Sequence, residues 1–148
     1  MQEVLYFRLN ISMLKIYGLA FLVVLLISCG GSGSALSEQL AGSDSLVIHF
    51  NTPQSNTIEK TVTTTERTAI KKLINYVDGK ASEAYKCGYD GNLLFYKKDA
   101  LAGDVSFNYS GDGCHHFMML VNDQLTPTTM SNEAASFLKS LAEGKGWY

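Results

Sequence analysis

Residues 57–80, TIEKTVTTTERTAIKKLINYVDGK, change their hydrophobic period within one short stretch. The first part is rich in threonine, with Ile58 and Val62 as sparse apolar members, which is typical of an edge strand or a half-exposed strand. From Thr65 onward the apolar side chains recur at helical spacing and share one face. They are Ala69, Ile70, Leu73, Ile74 and Val77. The stretch therefore predicts a strand followed by an amphipathic helix.

The segments on either side continue this alternation of strand and helix. SLVIHF (residues 45–50) precedes it as a strand, and YKCGYDGNLLFYKK (85–98) follows it with a turn signal at Asp90-Gly91. Two further strands are predicted from DVSFNY (104–109) and from CHHFMMLV (114–121), which reads as largely buried. Asn122-Asp123 then turns the chain towards QLTPT, where Pro127 favours a strand at an edge or outside the sheet. A last amphipathic helix begins after Ser131, a good N-cap residue.

The resulting element order is β-β-α-β-β-β-(β)-α, which predicts an α+β fold. We expect a mainly antiparallel sheet of about five strands with two helices packed on one face, because one helix layer buries both apolar stripes. This order loosely resembles half of the TATA-box-binding-protein fold. The resemblance concerns element order alone and implies no function.

Length and composition point to one ordinary globular domain, predicted over residues 46–148. The chain has 148 residues, of which 46% are hydrophobic and 18% are charged. Its formal net charge of −2 provides no basic surface, which argues against nucleic acid as a partner. No cofactor motif is present in the sequence.

Residues 1–28 have the pattern of a signal peptide. Lys15 supplies a positive charge, and Ile16 to Ile27 form an uncharged apolar run of about 18 Å if helical, too short for the roughly 30 Å hydrocarbon core of a bilayer. Both Met1 and Met13 are possible start residues.

The end of this apolar run, Leu26-Ile27-Ser28-Cys29, resembles the lipobox of bacterial lipoproteins. The resemblance covers residues 13–30 only. It implies cleavage before Cys29 and attachment of lipid to its thiol, which would hold the protein on a membrane of the cell envelope. Gly30 rather than an aspartate follows the cysteine, and by resemblance to known sorting rules this favours the outer membrane over the inner one. A plain signal peptide with an incidental cysteine is the alternative. Residues 29–45 are dominated by glycine and serine and predict a flexible linker.

The two other cysteines are candidates for a disulfide, because export takes them to an oxidising compartment. Cys87 and Cys114 each lie beside glycine. If the strands begin near Leu93 and just after Cys114, both cysteines precede strands that start at the same end of the sheet, one strand apart. A loop can carry Cys87 across that gap. Two free buried thiols are the alternative.

Cys114-His115-His116 also invites a metal hypothesis, with His49 as the only other histidine of the chain. Neighbouring residues of a strand point to opposite faces, so His115 and His116 cannot share an ion if both lie in a strand. No spacing in the sequence supplies further ligands, and no catalytic motif is present.

These patterns leave three classes of function open. The first is a lipid-anchored, non-enzymatic binding module for an unknown partner in the cell envelope. The second is a carrier of metal or a small ligand that uses the region Cys114 to His116. The third is a small hydrolase or an inhibitor of one. The missing catalytic motifs favour the first.

Replacing Cys29 tests the anchor directly. In a bacterial host fed an alkyne-tagged fatty acid, the wild-type chain should carry the tag and Cys29→Ala should lose it, because the thiol that holds the lipid is gone. In-gel fluorescence after click labelling measures this. Cys87→Ala serves as the matched control and should keep the tag. A tagged Cys29→Ala chain would contradict the lipobox interpretation.

Overall fold

The computed structural model describes residues 34–84, 86–111 and 113–147. The predicted signal peptide, Cys29 and the start of the predicted linker lie outside this part of the chain. The described residues form three helices and six strands. These are α1 (Ala35–Leu40), β1 (Ser45–Asn51), β2 (Ile58–Thr64), α2 (Arg67–Val77), β3 (Gly91–Lys97), β4 (Ala100–Asn108), β5 (His116–Val121), β6 (Gln124–Thr129) and α3 (Asn132–Ala142).

The six strands form one open sheet in the order β2-β1-β3-β4-β5-β6, and every neighbouring pair is antiparallel. The α+β class is therefore confirmed. The expected number of about five strands is corrected to six, because QLTPT pairs fully with β5 as β6. The threonine-rich β2 and the proline-containing β6 are the two edge strands. An edge strand tolerates proline, because the backbone N–H that proline lacks need not pair with a further strand.

One face of the sheet carries the core. Alternation along the strands directs Leu46, Ile48 and Phe50 of β1 to this face, and cross-strand partners continue the rows across the sheet. The apolar stripes of all three helices join the same buried cluster, so the helices form a single layer on that face. The strand members of the cluster are Leu46, Ile48, Phe50, Leu93, Phe95, Val105, Phe107, Phe117, Met119 and Val121.

Polar contacts fix the second and third helices to the sheet and to each other. The Ser131 side chain accepts a hydrogen bond from the Ala134 amide, which confirms Ser131 as the N-cap of α3. Lys60 of β2 donates to the carbonyls of Leu141 and Ala142 at 2.7 and 2.9 Å and so satisfies the C-terminal end of α3. Tyr76 of α2 donates to Glu133 of α3, and burial together with this bond raises the pKa of Tyr76 to about 12.

The helix α1 corrects the later part of the predicted flexible linker, from Ser34 to residue 45; residues 29–33 lie outside the described part of the chain. Its side chains Leu36 and Leu40 are 2% and 0% exposed and belong to the core cluster. Ser34 caps α1 by accepting from the Ser37 amide, and the Ser34 hydroxyl also donates to the carboxylate of Asp78. The folded domain therefore begins near Ser34 and not at residue 46.

Two tight hairpin turns join neighbouring strands. Lys98 and Asp99 link β3 to β4, and Asn122 and Asp123 link β5 to β6; all four residues have positive φ, between 49 and 64°. The Asn122-Asp123 turn was expected, and the Lys98-Asp99 turn was not.

The turn predicted at Asp90-Gly91 is wrong. Gly91 is the first residue of β3, where a Cβ would lie 2.7 Å from the Phe107 ring and would also clash with the His49 carbonyl. This glycine permits a close approach of strands and does not make a turn. Among the described residues, no helix has the length and apolar character needed to cross a membrane.

Truncation of Leu40 tests whether α1 is part of the fold. Leu40→Ala should lower the free energy of unfolding by about 2–5 kcal/mol, the range for a buried leucine whose removal leaves a cavity. Denaturant unfolding of the chain measures the change. Glu38→Ala, an exposed change on the same helix, should stay within about 0.5 kcal/mol. Equal effects of the two substitutions would contradict the burial of α1.

Candidate functional site

A disulfide joins Cys87 to Cys114, with their Cα atoms 6.1 Å apart, as the sequence predicted. Cys87 precedes β3, and Cys114 precedes β5; β4 lies between these two strands. The bond therefore spans one strand at a single end of the sheet, and it holds the loop before β3 against the loop before β5.

Two polar side chains reinforce this end of the sheet. Asn108, at the end of β4, donates to the Gly88 carbonyl at 2.7 Å and accepts from the Gly111 amide at 3.0 Å, so it joins the two cysteine loops. The Asp90 carboxylate accepts from the amides of Tyr109 and Ser110 and from the Ser110 hydroxyl, all within 2.8 Å. Burial raises the pKa of Tyr109, and the negative charge of Asp90 adds to this shift.

The three histidines occupy separate places. His116 is 1% exposed and lies in the first position of β5, with the ring of Tyr89 edge-on at 6.3 Å. His115 precedes the strand, so the expectation that both residues lie within it is wrong. His49 lies on β1, three strand spacings from β5, which is about 14 Å or more.

These positions do not assemble a metal centre. Cys114 is bonded to Cys87, which removes the thiolate that the metal hypothesis requires. In the part of the chain that the structure describes, no three histidine, cysteine, aspartate or glutamate side chains converge as a set of metal ligands.

The face of the sheet opposite the helices, here called the open face, has a polar centre. The side chain of Asn92 on β3 donates to Asp104 at 2.6 Å and to Ser106 at 3.2 Å, both on the neighbouring strand β4. His49 is the cross-strand neighbour of Asn92 on the other side. The open face includes Val47, His49, Thr61, Thr63, Asn92, Leu94, Tyr96, Leu101, Asp104, Ser106, Met118, Leu120 and Leu125.

Apolar side chains surround this polar centre and remain exposed. Leu120 of β5 and Leu125 of β6 are cross-strand partners and are 60% and 51% exposed. Leu101 of β4 is 55% exposed beside Tyr96. Clustered exposure of large apolar side chains marks an interaction surface, whereas scattered ones carry no such meaning.

Tyr89 connects the disulfide end to the open face. Its hydroxyl lies 3.4 Å from the sulfur of Met118, and its ring lies edge-on to the ring of His116. Together with Asp104, Ser106, Leu120 and Leu125 it lines a groove of about 320 Å³. The groove combines leucine walls with the carboxylate of Asp104 and the hydroxyls of Tyr89 and Ser106.

Sequence reasoning missed this surface. The run HFMMLV is largely buried, as expected, and Leu120 is its exception: it is the most exposed large apolar residue among those described. An unbroken apolar run gives no sign of which face lacks a covering layer. The position of Leu120 opposite Leu125, two residues either side of the Asn122-Asp123 turn, is the one signal that pairs them.

Comparison with known proteins provides no relative for this chain: no protein-family description, curated protein or solved structure matches it.

Reduction of the disulfide should destabilise the domain. Closing a loop with a sequence separation of 27 residues is worth about 3 kcal/mol in the chain-entropy model. A reductant should therefore lower Tm by about 10 °C or more. Differential scanning calorimetry measures the shift, and non-reduced peptide mapping should find the two cysteine peptides joined. The double variant Cys87→Ser/Cys114→Ser should already melt at the lower temperature and should not respond to reductant. An equal Tm of the wild-type protein with and without reductant would contradict the presence of the disulfide.

Proposed function

We propose that this protein is a lipid-anchored lipoprotein of the bacterial cell envelope whose domain binds a partner protein through the open face. The lipobox resemblance at Cys29 supports the anchor. The exposed leucines of the open face support the binding role, and they are the observation on which the proposal depends. The residue after the cysteine, Gly30, favours the outer membrane as the site of the anchor.

The distribution of exposed apolar residues argues for a binding surface. Five large apolar side chains are exposed among the described residues: Ile58, Tyr89, Leu101, Leu120 and Leu125. Four of these belong to or border the open face. Their exposure costs free energy in the isolated domain, and a partner that covers them recovers it at about 25 cal/mol for each Å² of apolar surface.

The shape of the surface favours a protein over a small ligand. The groove at Tyr89, of about 320 Å³, is at the small end of the range for small-molecule sites and lies on the face of a sheet, whereas such sites enclose most of their ligand. A protein surface, by contrast, buries a broad patch with an apolar centre and a polar rim. Asn92, Asp104 and Ser106 supply hydrogen-bonding groups within that patch.

The alternatives have less support. A metal carrier built on Cys114, His115 and His116 lacks its thiolate while Cys114 is disulfide-bonded. A small hydrolase requires a nucleophile beside a base at the wall of a deep pocket. The groove at Tyr89 offers Ser106 and Asp104 on a shallow sheet, and both already bond to Asn92.

Site-specific photo-crosslinking in the envelope tests the binding role. A photoreactive amino acid at Leu120 should give one discrete adduct with a second protein, because this side chain lies at the centre of the proposed contact. The matched control is Ile58, which is 50% exposed on the opposite edge strand and should give none.

The substitution Leu125→Lys should abolish the adduct from Leu120, since it places a charge in the apolar contact. Immunoblotting and mass spectrometry of the adduct identify its composition. An adduct that contains only two copies of this chain would contradict the proposal and indicate a homodimer. Equal adducts from Leu120 and Ile58 would also contradict it.

A further inference from the structure

The start of the domain is fixed to the helix layer. Leu36 and Leu40 are buried in the core, and the Ser34 hydroxyl bonds to Asp78 at the end of α2. Lys97 donates to the Ala41 carbonyl just after α1. The chain therefore enters the domain on the helix side of the sheet, opposite the open face.

The length of chain before α1 limits how the domain sits. Gly30, Gly31, Ser32 and Gly33 separate Cys29 from Ser34. Their full extension allows at most about 17 Å between the Cα atoms of Cys29 and Ser34. A domain of this size has a radius of gyration of about 13 Å, so the reach is smaller than the domain's own diameter. An anchor at Cys29 therefore keeps the entry point close to the lipid headgroups.

A cleft of about 580 Å³ lies beside this entry point, between α1 and α2. Arg67 and Lys71, one helical turn apart on α2, bring two positive charges to its wall. Ser37 and Ser43 also line the cleft, and their hydroxyls donate to the carbonyls of Ser34 and Leu40. The other lining residues are Ala41, Gly42, Ile70, Ile74 and Asn75. Cations above aliphatic side chains match the phosphate and the glycerol region of a phospholipid.

The geometry points to a fixed orientation of the domain on the membrane, and this inference rests on the lipid anchor of the proposed function. We propose that the helix layer faces the bilayer, that the cleft between α1 and α2 takes anionic phospholipid headgroups through Arg67 and Lys71, and that the open face points away from the membrane. This orientation leaves the exposed leucines accessible to a partner protein.

Two cations, Arg67 and Lys71, and one carboxylate line the cleft, so the charge of its lining is positive. Asp44 is the one carboxylate in the lining, and it accepts a hydrogen bond from the Lys98 amide at 2.8 Å. Asp78 accepts from Ser34. Lys97 lies beside Gly42, one of the lining residues, and adds a third cation near the cleft.

Fluorescence quenching by lipid headgroups tests the orientation in the full chain. The matured protein, purified from a bacterial host, is reconstituted in vesicles of phosphatidylcholine and phosphatidylglycerol that carry a headgroup quencher. A fluorophore is attached through Asn75→Cys in the cleft or through Thr63→Cys on the open face, both exposed positions. We expect strong quenching at position 75 and little at position 63.

Neutralising the cations tests the cleft. Arg67→Gln and Lys71→Gln should each shift the equilibrium away from the membrane-facing orientation by about fivefold, the effect of one basic residue near an anionic surface. The quenching at position 75 should fall accordingly. Lys86→Gln is the matched control and should leave the quenching at position 75 unchanged, since Lys86 is exposed at the disulfide end of the sheet.

Flotation of the vesicles separates the two proposals. A chain that does not float with the vesicles overturns the anchor and with it the orientation. A chain that floats but shows equal quenching at positions 63 and 75 overturns the orientation alone. Unchanged quenching in Arg67→Gln and Lys71→Gln overturns the assignment of the cleft to headgroups.

Discussion

The packing of Leu40 over Gly103 is the contact on which the arrangement of this protein depends. Gly103 lies on the inner face of β4, and a Cβ there would come within 2.5 Å of Leu40 and 3.0 Å of the Met119 sulfur. The missing side chain makes the space that Leu40 fills. Through this contact α1 packs on β4 and β5. The buried side chains of α1, of the longer helices α2 and α3 and of the sheet belong to a single core.

The two faces of the sheet owe their different chemistry to this one-sided cover. Three helices bury one face, while the other retains a polar centre at Asn92 and exposed leucines at positions 120 and 125. Because α1 belongs to the helix layer, the chain enters the domain on the covered side. The binding role that we propose for the open face and the membrane-facing role that we propose for the helix layer both rest on this packing.

Much of the fold was predictable from the sequence, because periodicity reports which residues share a face. The stripe of α2, the alternation of β1, the edge positions of β2 and β6 and the N-cap Ser131 all agree with expectation. The disulfide was predictable for a related reason: both cysteines precede strands that begin at the same end of the sheet.

The features that sequence reasoning missed depend on contacts across the sheet. Leu36 and Leu40, spaced by four after the cap Ser34, are the only local sign of α1, and the surrounding glycines and serines obscure it. The Lys98-Asp99 turn lacks the glycine or asparagine that usually marks a two-residue hairpin turn. Both of its residues nevertheless adopt the positive φ that such a turn requires. Leu120 is exposed because the described helices all pack on the other face of the sheet, and no local pattern of apolar residues contains that information.

Amide hydrogen exchange tests the central claim, that α1 is an integral part of the domain. The amides of Ala41 and Ser43 donate within and just after this helix, to the carbonyls of Glu38 and Leu40. If α1 is packed as described, NMR should show that the amides of α1 exchange about as slowly as those of β4. The reason is that both elements become exposed only when the core opens. Exchange of the α1 amides at the rate of an unstructured peptide, with β4 still protected, would contradict the account.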